Sequence, residues 1–123
     1  MPARKHVLEL VSLVEQLRID EAIERFYADP VFMQDNHNPP TVGKAANRER
    51  ERKFFGSVTV NAMEAKRVLV EGDHAAIHWL FDFTAADGKR FVLDQIAFQT
   101  WKGDRIVNER FVYDSASIAV DAA

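Results

Sequence analysis

The sequence predicts an α+β fold, in which three N-terminal helices pack on one face of a strongly curved antiparallel sheet. Two observations lead to this prediction. Apolar residues recur at helical spacing in the first part of the chain, and from Val58 onward the pattern changes to long runs rich in β-branched and aromatic residues. The turns between those runs are short, which makes each strand antiparallel to the one before it.

The three helices are predicted from apolar spacing and from helix-ending residues. The first covers about residues 2–18, where apolar side chains at positions 7, 10, 11, 14 and 17 form one stripe. The second covers about residues 21–28, with Asp20 as the cap for its free backbone amides, and Asp29-Pro30 ends it. The third covers about residues 44–55, and its RERERK segment is expected largely to face water because charges at this density are costly to bury.

The strands follow from β-rich runs between turn residues. Residues 31–34 are short and β-prone, and residues 35–40 have the composition of a loop. Four long strands are predicted over residues 58–70, 75–84, 90–101 and 105–113, which form an antiparallel meander. The hairpin at Gly103-Asp104 joins the last two strands and carries most of the candidate site. Residues 116–123 are a small-residue tail with no predicted structure.

The composition limits the number of domains and the kinds of partner. A chain of 123 residues is long enough for one core and too short for two, so a single domain over residues 1–123 is expected. A net charge of -3 and the lack of a long apolar run predict neither nucleic acid nor a membrane as partner. The sequence has no cysteine, which excludes thiol chemistry and thiolate metal sites and suits a cytoplasmic protein.

The strand pattern predicts a pocket wall, because alternate side chains of a strand share one face. If the helices cover the apolar face, three sets of side chains point inward: Ile77, Trp79, Phe81 and Phe83; Val92, Asp94, Ile96 and Phe98; and Glu109, Phe111 and Tyr113. Tyr27, Met33 and, from the loop at the predicted cavity mouth, His37 complete the candidate ligand-binding residues. A wall of this kind is typical of sites for small apolar ligands.

Four side chains are candidates for proton transfer: Asp35, Asp94, Glu109 and Tyr113. A carboxyl group in apolar surroundings has its charged form disfavoured and can stay protonated near neutral pH. An alternative stays open for Asp94 and Glu109. Each could instead pair with an arginine such as Arg67 or Arg105, or bond a tyrosine, in a structural network.

A resemblance to a known family rests on four short stretches. These read FYAD at 26–29, GKA at 43–45, GDRI at 103–106 and ERFVYD at 109–114. They resemble the SnoaL-like branch of the nuclear transport factor 2-like superfamily, and the resemblance covers nearly the whole chain. It implies a cone-shaped fold, with three helices closing a strongly bent sheet over a deep pocket. The superfamily includes isomerases, cyclases, hydratases, epoxide hydrolases and pure binding modules, so the resemblance implies a fold more than a reaction.

Two enzyme types of that superfamily can be matched to single positions. The Arg-x-Asp pair and the last-strand Asp of the limonene epoxide hydrolase type fall near Ile77, Trp79 and Phe111, so the resemblance does not extend to epoxide hydrolysis. The general-base aspartate of the ketosteroid isomerase type stands eight residues after the tyrosine of a Tyr-Ala-Asp stretch, which places Asp35 there. The second aspartate of that enzyme, which donates to the oxyanion, matches Ile96.

The sequence predicts no metal site and no cofactor. Asp35 and His37 are close, but no third ligand stands at a recognisable spacing. Gly-rich phosphate loops and dinucleotide fingerprints are absent from the sequence.

Three functions stay open on these observations. The chain could be an acid-base enzyme acting on a hydrophobic carbonyl compound with Asp35 as base, a non-catalytic pocket for an apolar metabolite, or an interaction module. A homodimer through the outer sheet face is expected, because a sheet covered on one side would leave large apolar groups in water. The predicted outer set is His78, Leu80, Asp82, Gln95, Ala97, Gln99, Trp101, Arg110 and Val112.

Overall fold

The computed structural model describes residues 4–114, and the predicted tail at 116–123 lies outside this range. The helices of the described chain are α1 (Arg4–Glu15), α2 (Ile19–Phe26) and α3 (Lys44–Ser57). The strands are β1 (Tyr27–Asp35), β2 (Thr41–Val42), β3 (Val58–Glu71), β4 (His74–Ala85), β5 (Arg90–Lys102) and β6 (Arg105–Val112). The predicted α+β fold class is confirmed, with two strands placed between the second and third helices.

One mixed sheet contains all the strands of the described chain, in the order β2-β1-β6-β5-β4-β3. Strands β3 to β6 form the predicted antiparallel meander. β1 extends this meander by pairing with β6 in parallel, and β2 pairs antiparallel with β1. The predicted four-stranded sheet was therefore incomplete, because short turns reveal only neighbours that follow each other along the chain.

The start of α2 differs from the prediction. The helix begins at Ile19, and no side-chain hydrogen bond caps it at Arg18. Ile19 lines the cavity described below, so its burial favours inclusion in the helix. Asp20 therefore lies in the first turn instead of capping the helix, and its carboxylate accepts a hydrogen bond from Arg52 of α3 at 3.1 Å.

A buried asparagine fixes α3 over the β1–β2 pair. Asn47 is fully buried, and its Nδ2 group donates to three backbone carbonyls: Gly43 at 2.8 Å, Thr41 at 3.0 Å and Val31 at 3.2 Å. Such buried amide networks favour one arrangement of the elements they join. The contacts set which side of α3 faces the sheet, and this orientation decides which charged residues of the helix enter the cavity.

The pairing of β4 with β5 shows which side chains point inward. Ile77 lies opposite Ala97, Trp79 opposite Gln95, and Phe81 opposite Leu93. Directly opposed residues share a face. The predicted inward set of β4 agrees with this pairing, because Ile77, Trp79, Phe81 and Phe83 are all buried.

The predicted phase of β5 was wrong by one residue. Val92, Asp94, Ile96 and Phe98 lie on the outer face, where Phe98 is 51% exposed, whereas Gln95, Ala97, Gln99 and Trp101 point inward. The strand has apolar residues on both faces, with Phe91, Leu93, Ala97 and Trp101 inside and Val92, Ile96 and Phe98 outside. Its inner face holds small Ala97 against the core and two glutamines. Apolar alternation therefore pointed to the wrong face, and four members of the predicted outer set belong inside.

No helix in the range 4–114 is both long enough and apolar enough to cross a membrane.

Candidate functional site

A cavity of about 500 Å³ lies between the helices and the inner face of the sheet. Most of its lining is apolar. The aliphatic and sulfur-containing part comes from Leu10, Val14, Ile19, Ala22, Ile23, Met33, Met63 and Leu93. The aromatic part comes from Trp79, Phe54, Phe55, Phe81, Phe83, Phe91 and Phe111. A volume and lining of this kind suit a small, largely hydrophobic molecule.

Phenylalanines from α3, β4 and β5 form a continuous aromatic wall. Ring centroids lie 4.8 Å apart for Phe81 and Phe83, 5.3 Å for Phe83 and Phe91, and 5.9 Å for Phe54 and Phe81. Edge-on and offset ring contacts at these distances are favourable. This wall therefore has a defined shape in the folded chain.

A chain of hydrogen bonds closes the deep end of the cavity around Glu109. The Tyr27 hydroxyl donates to Oε1 of Glu109, and Nε2 of Gln99 donates to Oε2 at 2.7 Å. The indole of Trp101 in turn donates to Oε1 of Gln99 at 3.0 Å. All four side chains are buried. Every polar atom of the Glu109 carboxyl thus has a protein partner.

The strand registers assemble this chain. Gln99 of β5 lies opposite Glu109 of β6, and β1 brings Tyr27 beside β6 through the parallel pairing. An irregularity between Thr100 and Trp101 shifts the β5–β6 register, so that Ile106 and Glu109 are both buried although they are three positions apart in the sequence. The sequence left open whether Glu109 pairs with an arginine or bonds a tyrosine in a structural network. The hydrogen bond from Tyr27 favours the tyrosine.

Burial is the largest cause of the pKa shifts at this deep end. It raises the pKa of Glu109 above the ordinary range, and the hydrogen bonds from Tyr27 and Gln99 and the charge of Arg50 oppose that rise without cancelling it. Burial also raises the pKa of Tyr27 well above its usual value, and the neighbouring Glu109 adds to the effect. Tyr27 therefore stays neutral and acts as a hydrogen-bond donor.

The other polar end of the cavity is partly open and is built around Arg50 of α3. Nη2 of Arg50 contacts Oδ2 of Asp35, at the end of β1, at 2.5 Å. The side chains of Asp35 and Arg50 are 27% and 31% exposed. Tyr113 follows β6 at the same end, and burial, then the charge of Asp35, raise the pKa of its hydroxyl. This cluster therefore meets both the cavity and solvent.

Glu51 is the second acid that α3 contributes to the cavity. Its Oε1 lies 3.8 Å from Nη1 of Arg50, which is an ion-pair contact too long for a hydrogen bond. Burial raises the pKa of Glu51 to about 7; Arg50 opposes the rise, while the charges of Glu109 and Asp35 increase it. The carboxyl is therefore divided between its neutral and charged forms at neutral pH.

The cavity brings together most of the predicted site residues. Asp35, Glu109 and Tyr113 line it, as do the predicted ligand-binding residues Tyr27, Met33, Trp79, Phe81 and Phe111. Ile77 is inward but fully buried in the core behind the wall.

Four predicted site residues lie elsewhere. Asp94 is 78% exposed on the outer face, where Oδ1 lies 2.7 Å from Nε2 of His78. Ile96 and Phe98 share that face because of the phase error in β5. His37 lies outside the cavity lining, and its ring is 3.3 Å from Nη2 of Arg110. The loop after β1 directs His37 toward β6, away from the apolar wall.

Sequence reasoning missed five polar residues of the lining: Arg50, Glu51, Gln95, Gln99 and Asp114. The RERERK segment was expected to face water, but two of its charges enter the cavity. A signal was available, because Phe54 and Phe55 follow Arg50 and Glu51 by four residues and share their face of the helix. The apolar pair marked the inward side of α3.

Residues 4–114 contain no group of three or more His, Asp or Glu side chains placed to hold a metal ion.

Comparison with known proteins agrees with the fold. A family model described as a SnoaL-like domain matches residues 7–109. No curated protein is similar enough to the sequence to count as a match. Among solved structures, a candidate SnoaL-like polyketide cyclase of Mesorhizobium loti is 25% identical with a TM-score of 0.82, and the match covers 90% of this chain and 98% of that one.

Two more distant neighbours share the fold alone. A nuclear transport factor 2-like protein of unknown function from Burkholderia pseudomallei is 13% identical with a TM-score of 0.80, covering 92% of this chain and 91% of that one. An epoxide hydrolase of Mycobacterium tuberculosis, similar to the limonene epoxide hydrolase type, is 12% identical with a TM-score of 0.75; coverage is 92% and 83%. Proteins that are named for different activities therefore share this fold.

Proposed function

Since this chain belongs to the SnoaL-like domain family, we propose that it binds a small hydrophobic carbonyl compound and moves a proton on it, as an isomerase or cyclase does. The observation that carries the proposal is the cavity of about 500 Å³, whose walls are aromatic and aliphatic and whose open end holds ionisable side chains. The likeness to the candidate polyketide cyclase of Mesorhizobium loti supports the same class of chemistry.

Asp35 is the proposed base. It lies at the end of β1, on the cavity lining, where its carboxylate can reach a ligand held by the aromatic wall. Arg50 binds one carboxylate oxygen and so fixes the orientation of the other. In the proposed step, Asp35 takes a proton from the carbon next to the carbonyl. The C–H electron pair becomes the second bond of the carbon–carbon double bond, and the π pair of the carbonyl moves to its oxygen, which carries the negative charge until the proton returns to carbon.

The developing oxyanion needs a hydrogen-bond donor in the cavity. Among the donors expected from the sequence, Asp94 is on the outer face and Glu109 is already bonded to Tyr27 and Gln99. Tyr113 lines the same end of the cavity as Asp35, and its raised pKa keeps the hydroxyl protonated. We therefore assign Tyr113 as one donor near the reacting oxygen.

The test measures exchange of the proton next to the carbonyl. A panel of enolisable hydrophobic ketones is incubated in heavy water with wild type, Asp35→Asn and Asp94→Asn, and deuterium incorporation is followed by NMR. Wild type and Asp94→Asn are expected to exchange at the same rate, and Asp35→Asn at the uncatalysed rate, because the amide cannot accept the proton. Equal exchange in wild type and Asp35→Asn would remove Asp35 from this role.

A binding function without chemistry is the second candidate. The specific observation in its favour is that Asp35 and Glu109 both have partners within the protein, which is also how structural acids are held. Saturable binding of the ketones without exchange above the uncatalysed rate would favour this candidate. The two outcomes are separated by measuring affinity and exchange on the same samples.

We also propose that the chain pairs as a homodimer through the outer sheet face. Its apolar members are Leu69, Leu80, Val92, Ile96, Phe98 and Val112. Asp94 and Arg110 supply both signs of charge beside them, as a self-complementary two-fold contact needs. Sedimentation at micromolar concentration is expected to show a dimer in wild type and a monomer in Phe98→Asp. A 14.0 kDa monomer in wild type would contradict the proposal.

A further inference from the structure

Arg50 has one arm that no group within residues 4–114 hydrogen-bonds. Nη2 is bonded to Asp35, whereas Nη1 is buried and has no hydrogen-bond partner. Buried N–H groups of folded proteins almost always have a partner, because leaving one unpaired costs free energy. Arg50 lines the cavity, and a turn of its guanidinium would bring Nη1, which has almost no accessible surface in the free protein, to an acceptor atom of a bound molecule.

Glu51 lies beside this free arm. Its Oε1 is 3.8 Å from Nη1, which leaves the two groups side by side without a hydrogen bond. Both groups line the same cavity. A neutral Glu51 carboxyl has one O–H to donate. An arginine N–H and a carboxylic O–H thus stand next to each other on α3.

From this juxtaposition we propose that Nη1 of Arg50 and the Glu51 carboxyl form the binding subsite for a single ligand oxygen, and that the ligand's polar group is a neutral carbonyl. The inference rests on the proposed function and deepens it, because it names two donors and the chemical form of the oxygen they take. Tyr113, at the same end, becomes a third group near that oxygen.

The charges around the subsite favour a neutral oxygen over a carboxylate. The guanidinium of Arg50 is already paired with Asp35, so the cluster has no cation left to balance an anionic ligand. Charged Glu51 would repel such a ligand, whereas neutral Glu51 donates to a carbonyl. The ionisable groups that bear on Glu51 come from α3, β1, β6 and the segment after β6: Arg50, Asp35, Tyr27, Glu109, Tyr113 and Asp114.

The pH dependence of binding follows from the titration of Glu51. Its pKa of about 7 makes the carboxyl mostly neutral at about pH 6 and mostly charged at about pH 8. A ketone that needs the neutral form should bind about tenfold more tightly at the lower pH, in proportion to the fraction of the competent form. A hydrocarbon of the same shape should show no such dependence.

The experiment uses three probes of one shape: methyl naphthyl ketone, ethylnaphthalene and naphthoate. Affinities for the full chain are measured by equilibrium dialysis at about pH 6 and about pH 8. Wild type is expected to prefer the ketone and to lose about tenfold in ketone affinity at the higher pH. Glu51→Gln should keep the affinity that wild type has at about pH 6 and lose the pH dependence, because its amide donates at every pH. Glu49→Gln, an exposed change on the same helix, should behave as wild type.

A second variant tests the arginine arm without removing the charge. Arg50→Lys keeps a cation for Asp35 but lacks the planar fork that presents Nη1 to the ligand. It should lower ketone affinity by about tenfold while leaving ethylnaphthalene affinity unchanged.

The outcomes separate this inference from the proposed function. Binding of all three probes without pH dependence, or tighter binding of naphthoate than of the ketone, would overturn the subsite and leave hydrophobic binding in place. Failure of every probe to bind wild type at both pH values would overturn cavity binding of such compounds, and the subsite with it. Binding with the expected pH profile but no proton exchange would support the subsite and favour a binding function.

Discussion

Each polar end of the cavity holds a glutamate, and the two glutamates differ in their hydrogen bonding. At the deep end Glu109 accepts hydrogen bonds from Tyr27 and Gln99, and Trp101 completes the chain. At the open end Nη1 of Arg50 lies 3.8 Å from the Glu51 carboxyl, and within residues 4–114 neither of these two groups has a hydrogen bond. Both glutamates have raised pKa values, and burial is the largest cause in each case.

The difference shows that burial of an acid does not by itself mark a functional group. A fully bonded carboxyl lowers the free energy of the folded chain and has no capacity left for a ligand. An unbonded one costs free energy in the free protein and can recover part of it when a ligand binds. We therefore read the Glu109 end as structural support and the Arg50–Glu51 end as the place where a ligand's polar group is held.

The largest expected effect is on the pH dependence of stability at the open end. Glu51 titrates at about 7 in the folded chain and near 4.5 when unfolded, so the folded chain binds the extra proton between those values. Stability from this group is then complete below about pH 4.5 and is lost as pH rises to about 7. Relative to wild type, Glu51→Gln should gain roughly 3 kcal/mol in unfolding free energy at about pH 8 and nothing at about pH 4.

Urea unfolding of both proteins at the two pH values measures this difference. Glu49→Gln provides the matched control, because it makes the same change at an exposed position of α3. An equal gain in both variants would mean that surface charge, and not the burial of Glu51, is responsible.

The sequence predicted the fold well because long strands and short turns are local signals. The meander β3–β6 and the inward face of β4 follow from period-two alternation and from the turn residues alone. The parallel pairing of β1 with β6 was not predictable in this way, since the two strands are far apart in sequence. A pairing between strands that are distant in sequence has no local signal, so only the tertiary structure shows which residues pair.

A smaller effect is expected from removing a tyrosine hydroxyl at each end of the cavity. Tyr27→Phe leaves one oxygen of buried Glu109 without a donor, which should cost about 1 to 3 kcal/mol in unfolding free energy. Tyr113→Phe makes the same chemical change where the cavity meets solvent, and should alter stability by no more than about 0.5 kcal/mol. Thermal or urea unfolding of the two variants in parallel measures both values.

Equal costs for the two tyrosine variants would contradict the distinction between a structural and an open end. A larger loss in Tyr113→Phe would mean that the Tyr113 hydroxyl stabilises the chain at the end of β6. The affinity of both variants for the ketone probe can also be measured, and only Tyr113→Phe is expected to lower it.

The site was harder to predict than the fold because polar residues interrupt the apolar pattern where a cavity needs them. Gln95 and Gln99 occupy inward positions of β5, and the strand has apolar residues on both faces, so apolar alternation does not identify its inner face. Arg50 and Glu51 lie in the most charged segment of the chain, which composition alone assigns to solvent. Only the orientation fixed by Asn47, together with Phe54 and Phe55, shows that two of those charges turn inward.

The smallest effect is expected from Asp94, the acid that strand alternation placed in the cavity and the structure places outside it. Its carboxylate pairs with His78 on the outer face and is 78% exposed, and such exposed pairs contribute at most about 1 kcal/mol. Asp94→Asn should therefore change unfolding free energy by less than about 1 kcal/mol and leave ketone affinity and its pH dependence as in wild type. Dialysis and urea unfolding check both expectations. If Asp94→Asn weakened ketone binding in the monomeric Phe98→Asp background, the β5 phase seen here could not hold in solution. If binding changed only where the dimer is intact, Asp94 would act on the cavity through the paired sheet.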